Sequence, residues 1–263
     1  MRFIGQEHFH QELNLLLESV LDGKNYNILF RARSGMGKTT LSFVCMFILG
    51  SKNCVYYLPE DGKLVPNFNY GRRIHVLDEC HTLKDQEIIY PLMDCGKYTF
   101  FILTNESGEL KEPIINRCII FDFLPYSEED IFKITKLHLE KFSLPDNLIR
   151  IISLTCTFPR EIKVLCDRLT YIFERLLVPK NEEELNNILQ TVIGINDAGL
   201  NRLERNYLEY LESVGGQASL NVLSYGLGID KTSLLRDIEP SLIYKKLIKI
   251  TSRGRSLCKH TTL

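Results

Sequence analysis

The chain lacks a C-x-x-C pair, has no apolar run longer than Phe43 to Leu49, and carries almost no net charge, with 32 basic against 33 acidic side chains. The longest apolar run falls far short of the roughly 20 residues that cross a bilayer, so neither a transmembrane helix nor a membrane partner is expected. Met1-Arg2-Phe3-Ile4-Gly5-Gln6-Glu7 turns polar at once and offers no apolar signal-peptide core, so the expected location is cytoplasmic. Most of the cysteines lie inside apolar runs such as Phe43-Val44-Cys45-Met46-Phe47. That pattern predicts buried free thiols in a reducing compartment rather than a zinc or disulfide framework. No internal repeat and no low-complexity stretch is visible.

What is present is 263 residues, 44% of them hydrophobic, ample for a sizeable core. A net charge of -1 argues against a nucleic-acid partner only if the charge is spread evenly, and it is not. Residues 215–263 carry 8 basic and 3 acidic side chains, while everything before them is mildly acidic.

Periodicity divides the chain into three parts. Phe9, Leu13, Leu16, Leu17 and Val20 fall at helical spacing before Asp22-Gly23. Strands are then expected at Tyr26–Phe30, Val55–Leu58, Ile74–Leu77, Tyr98–Leu103 and Cys118–Phe121. Helices are expected at Thr39–Leu49 and, more polar, at Lys84–Met93. Strands alternating with helices predict a parallel sheet covered on both faces over residues 1–124. Residues 125–192 read as all-helical, opened by the capping-box-like Ser127-Glu128-Glu129-Asp130 and continued at about 145–155, 159–177 and 181–192. Residues 193–263 give one apolar helical face (Leu200, Leu203, Tyr207, Leu208, Leu211), two short helices at about 219–226 and 231–239, and a basic hairpin. That order is the winged-helix pattern.

Two motifs carry chemistry. Ala32-Arg33-Ser34-Gly35-Met36-Gly37-Lys38-Thr39 lies between an expected strand and helix and matches the phosphate-loop pattern, with Ala32 at the first glycine's place. Backbone N–H groups can curl around phosphate oxygens only where side chains are nearly absent, which Gly35 and Gly37 provide. Lys38 would reach the terminal phosphates and the Thr39 hydroxyl would coordinate magnesium. The second motif, Ile74-His75-Val76-Leu77-Asp78-Glu79, ends an expected strand in two carboxylates, where a parallel sheet delivers side chains to a site. Asp78 would hold the metal shell and Glu79 would orient and deprotonate a water. A solvated strand end is the ordinary reading of such a pair, and its position downstream of Lys38 favours an NTPase site.

On these motifs the sequence resembles the AAA+ ATPases and, within them, the RuvB family of branch-migration motors, along nearly the whole chain. Phe3-Ile4-Gly5-Gln6, Gly35-Met36-Gly37-Lys38-Thr39-Thr40-Leu41, Leu77-Asp78-Glu79-Cys80-His81-Thr82-Leu83 and Tyr90-Pro91-Leu92-Met93-Asp94 carry the likeness. It implies an α/β P-loop NTPase domain, an all-α lid and a winged-helix DNA-binding domain, with ATP and Mg2+ as cofactors. It also implies a nucleotide site drawn from Ile4, Ser34, Gly35, Met36, Gly37, Lys38, Thr39 and Thr40. Asn105 takes the sensor 1 place beside Thr104, and Arg117 in Pro113-Ile114-Ile115-Asn116-Arg117 the place of an arginine finger acting on a neighbouring subunit. Arg160 in Phe158-Pro159-Arg160 takes the sensor 2 place. A homo-oligomeric ring follows from a finger that acts in trans, and the resemblance implies that the ring is hexameric. At the C-terminal end, Ala198-Gly199-Leu200, Gly215-Gly216, Ile238-Glu239-Pro240-Ser241-Leu242-Ile243 and Thr251-Ser252-Arg253-Gly254-Arg255 stand in the order of the family's winged helix. Lys231, Arg236, Arg253 and Arg255 are the expected contacts to duplex or branched DNA.

Two departures stand out. Asp94-Cys95-Gly96-Lys97 runs straight into Tyr98-Thr99-Phe100, without the long hairpin that docks RuvA in the family, which argues against a RuvA-type partner. Ile115 replaces an expected arginine, and Asn116-Arg117-Cys118 is closer to the clamp-loader form. The leading expectation is an ATP-driven DNA motor. A loader that places another protein on DNA, and a nucleotide-gated DNA-binding switch, are the alternatives.

Overall fold

A computed structural model describes residues 3–58, 71–105, 109–196 and 198–258. By contact density the chain forms two compact units, one of residues 1–130 with 158–160 and one of the remainder.

The first unit is built on a parallel five-stranded sheet in the order β2-β3-β4-β1-β5. Its strands are β1 (Asn27–Arg31), β2 (Cys54–Tyr57), β3 (Ile74–Leu77), β4 (Thr99–Thr104) and β5 (Ile119–Asp122). Every residue of β3 and β4 is buried, which is why these strands are continuous apolar runs rather than alternating ones. One face packs Leu29, Leu77, Phe100 and Ile102 against Leu83, Ile89, Met93 and Ile114. On the other, Phe9 of α1 (Glu7–Leu21) meets Phe121 at 5.2 Å and Phe123 at 5.4 Å between ring centroids. The glycine-rich turn after β1 leads into α2 (Lys38–Ile48). Because β1 lies between β4 and β5, that turn opens at the carboxyl edge where the strand order reverses, the place where open parallel sheets bind ligands.

The expected helix at Lys84–Met93 is not a single helix. Two 3-10 turns, Cys80–Thr82 and Gln86–Ile89, precede a short α3 (Tyr90–Asp94). Pro91 has no N–H for a bond to the Glu87 carbonyl, and its ring crowds that turn. The Gln86 side chain meanwhile donates to the Glu109 carbonyl at 2.9 Å and accepts from the Lys111 N–H at 2.8 Å. From α3 the chain passes through Cys95–Tyr98 directly into β4, and α4 (Glu112–Ile115) then precedes β5.

The second unit holds most of α5 (Glu128–His138), then α6 (Asp146–Leu154), most of α7 (Pro159–Arg175) and α8 (Glu182–Ile188). Helix α5 starts at the expected cap, with Ser127 Oγ accepting from the Asp130 N–H at 3.1 Å and the Asp130 carboxylate accepting from the Ser127 N–H at 3.2 Å. Helix α8 widens into a π turn at Leu189–Ile193.

In the same unit, α9 (Arg202–Ser213) opens on an Asn201–Glu204 capping box and is followed by β6 (Gln217–Ala218) and α10 (Leu220–Leu227). The helix expected at 231–239 is instead a short α11 (Lys231–Ser233), a π turn at Leu234–Ile238 and α12 (Glu239–Tyr244). Pro240 removes the N–H that would have bonded Arg236, and the π turn takes up the change of register. Strands β7 (Ile248–Thr251) and β8 (Gly254–Leu257) complete an antiparallel sheet in the order β6-β8-β7. Tyr207, Leu208, Leu211, Leu223, Leu234 and Leu242 form the core of this winged helix. Lys245 ties it to the preceding helices of the unit, donating to the Gly199 carbonyl at 2.7 Å and the Thr155 carbonyl at 3.3 Å.

An ion pair anchors the wing from inside. Arg255 of β8 donates to both Glu239 oxygens, at 2.8 and 3.1 Å, and Tyr207 donates to the same carboxylate at 2.9 Å. The Glu239 side chain is only 2% exposed. Removing Arg255 would leave a buried carboxylate unpaired, so Arg255→Ala is expected to cost about 3–5 kcal/mol in urea unfolding. Arg253→Ala, on the exposed turn next to it, is expected to change stability by less than about 0.5 kcal/mol. Gly254 has φ +120° and no room for a Cβ, which would stand 2.2 Å from the Ala218 carbonyl oxygen. Gly254→Ala is therefore expected to lower unfolding stability by about 3 kcal/mol or more.

Candidate active site

The carboxyl edge of the first sheet gathers polar groups from four elements. Gly35 and Gly37 have φ of +85° and +91°, so the turn between β1 and α2 is open only to glycine at those places. A Cβ on Gly37 would stand 3.3 Å from the Tyr126 hydroxyl and 3.4 Å from the Phe3 ring. The Tyr126 hydroxyl donates to the Met36 carbonyl at 3.0 Å, which pins the turn from the chain segment after β5. A narrow loop of bare backbone over a buried cation fits the triphosphate of a nucleotide.

Lys38 is that cation, and it is 5% exposed. An ammonium carries three protons, and here they go to the Ala32 carbonyl at 2.8 Å, the Arg33 carbonyl at 3.1 Å and Asn105 Oδ1 at 2.6 Å. Burial pulls its pKa down to about 8, against the opposing pull of the Glu79 and Asp78 carboxylates. Asn105, at the end of β4, turns its amide nitrogen to Glu79 at 3.0 and 2.7 Å. It thus links the loop lysine to the strand carboxylate. Glu79 has φ +50°, an uncommon conformation for a residue with a side chain, held by these bonds.

Thr39 donates its hydroxyl to Asp78 Oδ2 at 2.7 Å, and the Glu79 N–H donates to Asp78 Oδ1 at 2.9 Å. A hydroxyl and a carboxylate in direct contact beside a phosphate loop are hard oxygen donors of the kind magnesium takes, so these residues fit that ion. Arg160 donates to the Ser34 hydroxyl at 2.7 Å, and its N–H to the Gly35 carbonyl at 3.3 Å.

The structure thus brings together Ser34, Gly35, Met36, Gly37, Lys38, Thr39, Asp78, Glu79, Asn105 and Arg160. Thr40 is exposed on the first turn of α2, and Ile4 is half-buried, with its neighbour Phe3 supplying the ring beside Gly37. Arg117 stands apart. Its guanidinium is held by Asp94 at 2.7 and 2.9 Å and by the Pro113 carbonyl at 2.8 Å, and it lies over the Tyr90 ring.

Three participants escaped sequence reasoning. Tyr126 pins the loop, His81 Nδ1 lies 3.5 Å from Glu79 Oε2, and the Tyr56 hydroxyl donates to Asp78 Oδ2 at 2.6 Å. Burial, then the neighbouring Asp78, pushes the Tyr56 phenol above its ordinary pKa and keeps it a donor. Only strand register reveals Tyr56: it sits opposite Val76, two residues before Asp78 and so on the same face of the sheet.

Of the cations expected on the winged helix, Lys231, Arg236 and Arg253 are exposed, with Arg236 paired to its neighbour Asp237 at 2.9 Å. Arg255 is not a surface cation. Its charge is already used inside the domain by Glu239, an acid within the same basic segment.

The RuvB C-terminal winged helix domain family matches residues 197–262. A protein named Holliday junction branch migration complex subunit RuvB, from Mesomycoplasma hyopneumoniae strain 7448, is 25% identical over 293 aligned positions, covering 98% of this chain and 92% of its own length. Its namesake from Thermotoga maritima is 26% identical, over 96% of this chain and 86% of its own. The solved structure of the Thermotoga maritima RuvB Holliday junction branch migration motor superposes with a TM-score of 0.79 at 25% identity, covering 98% of this chain and 93% of that one. Among the described residues, no helix is long and apolar enough to cross a membrane. The winged-helix match, the relatives of one name along nearly the whole chain and the shared fold over the same span support a RuvB-family AAA+ ATPase.

Proposed function

We propose that this chain is a magnesium-dependent ATPase that works in a ring of its own copies, six in number, and drives movement of duplex or branched DNA as in branch migration. The observation that carries the reading is the continuous linkage at the sheet edge. The phosphate-loop lysine is bonded to Asn105, Asn105 to Glu79, and Thr39 to Asp78.

Each group has a task in phosphoryl transfer to water, a reaction that needs positioning and charge neutralisation more than covalent chemistry. The loop amides from Ser34 to Thr40 cradle the phosphates. Lys38 exchanges one of its carbonyl or amide partners for a phosphate oxygen. Thr39 and Asp78 hold the metal, which when bound neutralises phosphate charge. Glu79 orients water and takes its proton, and Asn105 positions Glu79. Arg160 reaches phosphate from the start of α7. Arg117, engaged with Asp94 away from these groups, serves the site of the neighbouring copy. The passage from α3 to β4 through Cys95–Tyr98 leaves no room for a docking hairpin there, which supports action without a RuvA-type partner at that place.

DNA meets the winged helix through Lys231, Arg236 and Arg253, with Lys246 and Lys249 adding exposed charge beside the wing. Such contacts neutralise phosphates and release counterions. Replacing Arg253 and Lys249 together by alanine is expected to lower junction affinity and flatten its log–log salt dependence by about two units; an unchanged slope would put the DNA contact elsewhere.

Hydrolysis tests the assignment. With four-way-junction DNA present, Glu79→Gln is expected to bind nucleotide as the parent does and to lose about a hundredfold or more in turnover. Equal turnover by the two proteins would remove Glu79 from the reaction.

A further inference from the structure

We propose that Tyr56 is a positioning residue for the metal shell, holding the Asp78 carboxylate in its metal-competent orientation through a hydroxyl that needs no rearrangement when the cation arrives. The proposal rests on the ATPase reading above, because it assumes that Asp78 and Thr39 serve a divalent cation.

Asp78 is 4% exposed, so its carboxylate depends on protein donors. Oδ1 takes the Glu79 N–H at 2.9 Å. Oδ2 takes two hydroxyls, Thr39 at 2.7 Å and Tyr56 at 2.6 Å. The two hydroxyls differ in what the reaction asks of them. Thr39 must turn an oxygen lone pair toward the cation, so its hold on Asp78 is renegotiated when metal binds. Tyr56 has no such duty, and its hydrogen bond to a charged acceptor is of the strong, charge-assisted kind. With Oδ1 fixed from one side and Oδ2 from the other, the carboxylate is held against rotation.

The ring that carries this hydroxyl is itself fixed. Tyr56 lies in β2 opposite Val76 of β3, the strand that delivers Asp78. On its other side the ring stacks on Phe43 of α2, the helix that delivers Thr39, with centroids 5.3 Å apart and planes 26° apart. One side chain thus sets the spacing of the two elements that supply the metal's oxygens. Residues that orient a metal's ligands by hydrogen bonding change metal affinity by about 10- to 100-fold when removed.

Tyr56→Phe keeps the ring and its stacking and deletes only the hydroxyl. The test is Mn2+ binding to the ADP-loaded full chain, followed by electron paramagnetic resonance, beside affinity for a fluorescent ADP measured in EDTA. Tyr56→Phe is expected to weaken Mn2+ binding about tenfold and to leave metal-free ADP affinity unchanged. Mn2+ affinity within twofold of the parent overturns the proposal. So does an equal loss of metal-free ADP affinity, which would make Tyr56 a packing residue. A parent chain that takes up neither ADP nor Mn2+ overturns the ATPase reading and this proposal together, whereas normal uptake by the parent and by Tyr56→Phe alike overturns this proposal alone.

Discussion

A lysine ammonium withdrawn from water is the constraint around which the first unit is arranged. Lys38 cannot keep its charge at 5% exposure unless oxygens replace its hydration shell and negative charge lies close by. Each requirement calls on a different part of the sheet. The loop carbonyls of Ala32 and Arg33 answer only because Gly35 and Gly37 let the backbone double back over the lysine. Asn105 answers from the end of β4, and the acidic pair from the end of β3. The strand order, with β1 flanked by β4 and β5 and β3 next along, is what brings these ends within reach of one nitrogen. The strained backbone of Glu79 fits the same picture, since the bond to Asn105 holds that residue in a conformation it would otherwise leave.

The winged helix solves a related problem in the opposite sense. Here the buried charge is an acid, Glu239, and Arg255 and Tyr207 come to it from β8 and α9. The pair fixes the strand next to the wing turn and leaves Arg253 on the turn itself. A basic segment therefore contains cations of two kinds, and burial separates them. One cation is neutralised within the fold and specifies where the wing lies; the others face solvent, where they can meet phosphate.

Much of this was legible in the sequence because it is local. Strand β3 falls on the expected Ile74–Leu77, and helix α5 begins at the capping box read from Ser127 and Asp130. The phosphate loop declares itself through glycines that only one backbone shape requires. The parts that stayed hidden depend on pairing between distant segments. Tyr56 meets Asp78 through strand register, and Arg255 meets Glu239 across the winged-helix core. The helix expected at Lys84–Met93 failed for a readable reason: Pro91 sits where a helix needs an N–H. Apolar spacing outweighed that signal. Pro240 has a similar effect, converting part of an expected helix into a π turn.

The central claim is that nucleotide hydrolysis at this sheet edge drives movement of branched DNA. The most direct measurement is the time course of a synthetic four-way junction incubated with the purified chain alone, ATP and magnesium. The account predicts that the junction resolves into duplex products with ATP and stays intact when a slowly hydrolysed analogue replaces it. A junction that stays bound and intact while ATP is turned over would contradict the account.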